Sequence, residues 1–472
     1  MPRPVLTIAE MRAWEAATWA AGVRENDVIE RAGAAVAARL RPRLRPDSHV
    51  LVLAGRGNNG ADARHAAAHL PADLTRVEVV HSPAAVADVA AWLDAHRDAE
   101  VWILDGLFGI GLNRPLDADW QHLIRVVNQS GRPVLAVEVP SGLNADTGEV
   151  MGAAIRARAT VTLGAVKRGL LATAAAPYVG RLELATDIGL VANVLPAAPL
   201  TWALAADFRG FPPPRAEDGH KGMFGHVAIL AGSLGYHGAA VLAARGALAE
   251  RPGLVTVLTD ERCYVPVASA LAAAMVRPWR PGFVTPERFS TLLIGPGLAA
   301  DDLSPDLRRE VVRLWQGFPG PVVVDASALA WLPPGTVPRD ALRVLTPHPG
   351  EAGRLLRRTN ADVQADRPAA LRELSRAFGG CWVVLKGRHT LVGRAAGDVS
   401  VNATGNPCLA QGGTGDVLAG FIAGLLAQPV LAADPALALR LAVWEHGATA
   451  DRLEAAGSAW TAVELAAALR RG

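Results

Sequence analysis

Cysteine is nearly absent from this chain: three residues of 472, Cys263, Cys381 and Cys408. An odd and widely spaced set gives neither a disulfide framework nor a CxxC zinc pair, and a reducing cytoplasm is the expected compartment. No HxxxH or compact His/Asp/Glu group has metal-ligand spacing, which removes the zinc hydrolases. Neither sign of charge dominates, with Lys+Arg 47 against Asp+Glu 45 and a net charge of +2. No basic run is dense enough to follow a phosphate backbone, so nucleic acid is not expected as a partner. Long apolar runs are missing too. The most apolar stretch, Val417 to Ala433, is interrupted by Gly420, Gly424 and Pro429, so a buried helix explains it better than a membrane span. The first 22 residues carry Glu10, Arg12 and Glu15 where an export signal needs an apolar core.

What the chain does have is a succession of short Val/Ile/Leu runs ending in Gly, Asp or Ser: VLVLAG (50 to 55), VWILDG (101 to 106), VLAVEVPSG (134 to 142), VAILAGS (227 to 233), LLIGPG (292 to 297), VVVDAS (322 to 327) and WVVLKG (382 to 387). Alanine-rich segments of helical length lie between them. Continuous apolar strands alternating with helices predict an α/β fold with parallel sheets covered on both faces. Ligands then bind at the carboxyl ends of the strands. Between DIGL (187 to 190) and HKGMFG (220 to 225), prolines 196 and 199 and the run FPPPR break the pattern. Two domains are expected, 1–198 and 199–472, each of three layers.

Asn402 to Asp416, NATGNPCLAQGGTGD, precedes the apolar run VLAGFIAGLL. Glycines just before a helix leave backbone N–H groups bare for phosphate oxygens, and the helix dipole adds positive charge there. Asp416 falls in the first turn, where a base can take a proton from an attacking hydroxyl. KGRHT (386 to 390) ends a strand with a cation and a hydroxyl, TPHPGE (346 to 351) fixes His348 between two prolines, and GPG (295 to 297) and GYHGAA (235 to 240) permit close backbone approach.

In this order, with HKGMFGHV, VVVDASAL, NATGNP, GGTGDVLAGFIAGLL and EHGATAD, these segments resemble the ADP-dependent NAD(P)H-hydrate dehydratases, a ribokinase-like family. The resemblance covers about 220 to 451 and implies repair: hydrated NADH or NADPH is phosphorylated on its ring hydroxyl by ADP and loses phosphate, leaving AMP. It implies Asp416 as the base and ADP held by Lys386, Gly387, Arg388, His389 and Thr390 with Asn406, Gly412, Gly413, Thr414 and Gly415. Ala239, Gly297 and His348 would line the hydrate pocket, with Mg²⁺ bridging the phosphates. The chain departs from the family pattern at Cys408, Leu409, Gln411, Ala299, Ser327 and Ala274.

Residues 50 to 63, VLVLAGRGNNGADA, again read as strand, glycine turn and helix start, but no ribose-binding acid follows at dinucleotide spacing. With LTIAEMRAWE, VIERAGAAVA, ILDGLFGIGLNRPL, VEVPSGLNADTG and TVTLGAVKRGL, residues 1 to 195 resemble the Rossmann-like NAD(P)H-hydrate epimerases, often fused ahead of the dehydratase. The resemblance implies K⁺ at Asn59, Asp105 and Ser141. It implies substrate contacts at Asn58, Asn59, Gly60, Ala61 and Asp62, and at Gly109, Ile110, Gly111, Leu112, Asn113, Arg114 and Pro115. Glu138 and Lys167 are the catalytic candidates. Here NNGGDG has become NNGADA, placing methyls at Ala61 and Ala63, and Glu138 replaces the usual aspartate. A homo-oligomer is expected. Competing readings are a small-molecule kinase, a nucleotide binder, and an inactive first domain kept for folding or assembly.

Overall fold

The computed structural model describes residues 3–80, 82–337, 341–457 and 459–469. The chain divides into two compact units, Arg3–Pro199 and Leu200–Gly472, one residue from the division read in the sequence. No helix among the described residues is long and apolar enough to cross a membrane.

In the first unit, β1 (Arg3–Leu6) pairs in parallel with β7 (Val166–Lys167). The main sheet uses β2 (His49–Ala54), β3 (Thr75–Val79), β4 (Val101–Gly106), β5 (Val134–Val137), β6 (Ala159–Leu163) and β8 (Arg181–Ala185) in the order β3-β2-β4-β5-β6-β8. Every pairing in it is parallel. Successive side chains leave opposite faces of a strand. Val50, Val52 and Ala54 pack with the helices Glu25–Leu40 and Asn58–Ala67, whereas Leu51 and Leu53 pack with Val86–Ala95 and Ala118–Gln129. The result is three layers. The strand order reverses between β2 and β4, which opens a crevice at their carboxyl ends.

The second unit contains β9 (Leu200–Trp202), β10 (His226–Leu230), β11 (Leu254–Thr259), β12 (Met275–Pro278), β13 (Thr291–Ile294), β14 (Val322–Val324), β15 (Arg343–Leu345), β16 (Trp382–Leu385), β17 (Leu391–Gly393) and β18 (Val399–Val401). Their order is β12-β11-β10-β13-β14-β15-β16-β17-β18-β9. It is parallel from β12 to β16, and β17 then runs antiparallel to both its neighbours. Here the reversal lies between β10 and β13, where GYHG and GPG emerge.

One face of this sheet carries the helix Thr414–Leu426, buried along almost all of its length. Its partner is the helix His237–Ala249, and glycines set the distance between the two. A Cβ on Gly420 would stand 1.9 Å from the Ala243 carbonyl oxygen, one on Gly424 2.5 Å from that of Ala247, and one on Gly246 2.2 Å from that of Val417. The apolar run is thus a helix packed backbone to backbone, and its N-terminus is fixed at the mouth of the sheet. Gly420→Val should therefore lower unfolding stability by about 1–3 kcal/mol through overpacking, read as a lower denaturant midpoint.

Candidate functional site

The carboxyl ends of β14, β15 and β16 in the second unit each deliver one polar side chain to the start of the Thr414–Leu426 helix. Asp325, following β14, is 1% exposed. It accepts from Lys386 Nζ at 2.7 Å and from Thr346 Oγ1 at 2.8 Å. Burial pulls the Lys386 pKa down, but Asp325, Glu351 and Asp416 more than offset it, and the ammonium ends above its ordinary value. It stands 3.3 Å from where a Cβ on Gly415 would lie. Gly413 begins the helix at φ 93° and brings no side-chain cap, which leaves the first-turn N–H groups open beside that cation.

Asp416 is partly buried in the first turn, and among the described residues it makes no hydrogen bond or ion pair. Burial, then the charges of Asp325 and Glu351, push its pKa up to about 7, with Lys386 acting against them. A carboxylate near half-ionisation at neutral pH is matched to general-base work.

The loop segments around it are braced by the protein. Thr414 Oγ1 donates to the Leu409 and Gln411 carbonyls at 2.9 and 3.1 Å. Asn406 gives its amide to Asp451 at 3.1 Å, which also accepts from the Gly405 N–H. His446, kept neutral by burial with a pKa near 4, meets the Thr414 carbonyl at 3.0 Å. Arg367 donates to the carbonyls of Leu385 and Lys386 at 3.0 and 3.2 Å and to those of Arg388 and His389, and so holds the whole KGRHT turn. His389 Nδ1 meets the Asn402 carbonyl at 3.2 Å and its ring lies 5.1 Å from that of Trp202; burial lowers its pKa to about 3. Thr390 Oγ1 turns back to the Gly387 carbonyl at 3.1 Å.

His348 is a helix cap: its Nδ1 accepts from the Gly350 and Glu351 N–H groups at 3.0 and 3.3 Å. Gly297, at φ 66°, leaves only 2.4 Å between a Cβ and the Tyr236 carbonyl oxygen, and 2.9 Å to the Ala239 methyl. These last two residues therefore sit together at the reversal of the sheet.

In the first unit a cavity of about 580 Å³ opens at the β2/β4 reversal, lined by Asn58, Asn59, Asp62, the loop from Gly109 to Arg114, Glu138 and Glu15. Gly60, Ala61 and Pro115 do not line it. Gly60 packs on Gly55, whose carbonyl oxygen would stand 1.9 Å from a Cβ there, and Ala63 lies in the core against Gly106. The added methyl of Ala63 therefore points into packing.

Beneath the cavity Asp105 is fully buried and accepts from the Ser141 hydroxyl at 2.6 Å and its N–H at 2.8 Å. Burial raises its pKa to about 6 against those hydrogen bonds. Asn59 donates to the Phe108 carbonyl at 3.0 Å, while its own Oδ1 is buried with no partner. Glu138, at φ 66°, pairs with the fully buried Lys167 and accepts from the Leu163 N–H at 2.7 Å and the Thr162 hydroxyl at 3.1 Å.

Comparison with known proteins bears on both units. A family model described as NAD(P)H-hydrate dehydratase matches residues 227–471, and one described as YjeF-related protein N-terminus matches 25–95 and 83–169. The bifunctional NAD(P)H-hydrate repair enzyme Nnr of Coxiella burnetii is 35% identical, over 94% of this chain and 93% of its own. That of Gloeobacter violaceus is 37% identical, over 95% and 93%. The chain belongs to the bifunctional NAD(P)H-hydrate repair enzyme family. A ribokinase-like superfamily protein from Enterococcus faecalis V583 superposes on the second unit's fold with a TM-score of 0.50 and 27% identity, covering 58% of this chain and 95% of its own.

Two side chains at the mouth of the second unit were not singled out in the sequence, Asp325, which meets Lys386, and Arg367, which holds the KGRHT turn. Asp325 carries a usable signal, an acid directly after a buried parallel strand. Arg367 carries none, since an arginine near a helix start reads as solvated. In the first unit, removal of one partner from a buried ion pair costs about 3–5 kcal/mol. Lys167→Met should destabilise that unit by this amount, seen as a separate early transition in thermal unfolding.

Proposed function

We propose that the chain repairs hydrated nicotinamide dinucleotides with two activities: ADP-dependent dehydration of the S hydrate in the second unit, and interconversion of the R and S hydrates in the first. The observation that carries the dehydratase is Asp416, whose carboxylate has no partner among the described residues and titrates near 7 beside an open helix N-terminus and the Lys386 ammonium. In its ionised form Asp416 takes the proton of the ring hydroxyl as that oxygen bonds to the β-phosphorus of ADP and AMP leaves. Lys386 and the first-turn N–H groups hold the phosphate oxygens, whose charge they offset. The C–O bond to phosphate then breaks, the neighbouring carbon loses a proton to the departing phosphate or water, and the C–H electron pair restores the ring double bond.

Among the described residues no three His, Cys, Asp or Glu side chains form a metal-holding group; Mg²⁺ bound with the nucleotide would offset the charge of its phosphates. In the first unit the unpartnered Asn59 Oδ1, with Asp105, Ser141 and the Phe108 carbonyl nearby, is an oxygen-only donor set suited to K⁺. Those residues would hold the cation under the substrate phosphate.

A base must be ionised to act, so kcat/KM for dehydration should rise as pH passes upward through about 7 and level off above it. Asp416→Asn should lower kcat by about 10²–10⁴-fold, measured as ADP-dependent regain of NADH absorbance. Asp325→Asn removes the largest charge that lifts Asp416, and should move the acid limb of that profile to lower pH. A phosphorylated hydrate that accumulates without NADH would replace this reading by a kinase.

A further inference from the structure

Four carboxylates line the cavity of the first unit, Glu15, Glu25, Asp62 and Glu138; Glu25 accepts from the Asn58 amide at 2.7 Å, and the surroundings of the other three divide them into two kinds. Glu138 is committed to the protein through Lys167, the Leu163 N–H and the Thr162 hydroxyl. Lys167 is committed as well: besides Glu138 it donates to the Leu163 and Ala165 carbonyls at 2.7 and 2.9 Å, which uses the three protons of an ammonium. A pair saturated in this way has little left to exchange with a substrate.

Asp62 and Glu15 are in the opposite state. Asp62 is only 7% exposed, yet among the described residues neither its carboxyl nor that of Glu15 makes a hydrogen bond or ion pair. Buried polar side chains in folded proteins nearly always have a partner, so an orphaned Asp62 facing a cavity marks where a ligand donor or acceptor belongs. Glu15 reaches the same cavity from the helix Ile8–Ala20, whose buried stripe is Met11, Trp14 and Thr18. An acid one residue after Trp14 falls at the edge of that stripe, where solvation would not have placed it.

Asp62 also senses the charge of Glu15. Burial lifts Asp62 to about 8, with Glu138 and Glu15 adding to it and Lys167 opposing. Glu15 is raised first by burial, with Lys167 and Arg12 pulling down and Glu138 and Glu25 pushing up. Arg12, Arg56 and Arg114 also line the cavity.

We propose that Glu15 is a proton-transfer residue of the epimerase site and works as a pair with Asp62, while Glu138 and Lys167 position the floor of the cavity. This rests on the epimerase reading of the first unit. The hydroxyl-bearing carbon of the hydrate is bonded to the ring nitrogen. Asp62 gives its proton to that hydroxyl, the C–O bond breaks, water leaves, and the nitrogen lone pair forms a C=N⁺ bond. Water then bonds to the opposite face, and its proton passes to Glu15. The proton returns to Asp62 before the next turnover and nothing is consumed. The carboxylates also offset the positive ring that forms between the two steps.

The test uses the full chain with K⁺ and the separated R hydrate, following R-to-S conversion by chromatography for wild type, Glu15→Gln and Glu15→Asp. Glu15→Gln should lower kcat by about 100-fold or more, remove one limb of the pH profile, and leave the thermal melt and S-hydrate dehydration unchanged. Glu15→Asp should restore part of the rate. If Glu15→Gln epimerises as fast as wild type, the proposal is overturned and the epimerase reading stands. If wild type converts the hydrate no faster than buffer, both are overturned.

Discussion

A partly buried lysine set among carboxylates is the constraint on which the second unit's cluster depends. Asp325 meets the Lys386 ammonium at 2.7 Å and, with Glu351 and Asp416, favours its charged form. The cluster is crowded with negative charge, however, since Glu351 and Asp416 share the space. One lysine cannot keep every neighbouring carboxylate ionised. The proton demand falls on Asp416, which lacks any protein hydrogen bond to hold its charge, whereas Asp325 has two. The Asp416 pKa is thus set by the hydrogen bonds its neighbours have and it lacks.

The first unit solves the same problem with different residues. Lys167 is the buried cation, Glu138 the committed partner, and Asp62 with Glu15 the carboxylates left without one. In both units the cluster sits at the carboxyl ends of parallel strands, at the β2/β4 reversal in the first and after β14, β15 and β16 in the second. Glycine makes the approach possible at both. Gly60 against Gly55 and Gly420 against Ala243 leave room for backbone alone, so the first helix lies close on the turn after β2 and the second close on its neighbouring helix.

Much of this was legible in the sequence, and for a physical reason. Parallel strands buried on both faces read as unbroken apolar runs, so β2, β4, β5, β10, β13, β14 and β16 could be marked directly. The phosphate loop before Asp416 was legible because glycines and a helix start lie adjacent in the chain. Partnerships across long stretches were not: Lys386 meets Asp325 from 61 residues away, and Asp105 meets Ser141 from 36. The Glu138 substitution shows the same limit. Its extra methylene reads as a displaced catalytic group, but the fold gives its carboxyl to Lys167 and the Leu163 N–H. Ala63 likewise reads as an obstruction in the cavity and is found in the core.

The central claim is that one chain returns both hydrates to the reduced dinucleotide. It is tested most directly by giving the enzyme only the R hydrate of NADH, with ADP, Mg²⁺ and K⁺, and following NADH together with AMP. Complete recovery, faster than spontaneous epimerisation and with one AMP per NADH, is the predicted result. Recovery at the spontaneous rate, or NADH formed without matching AMP, would contradict it.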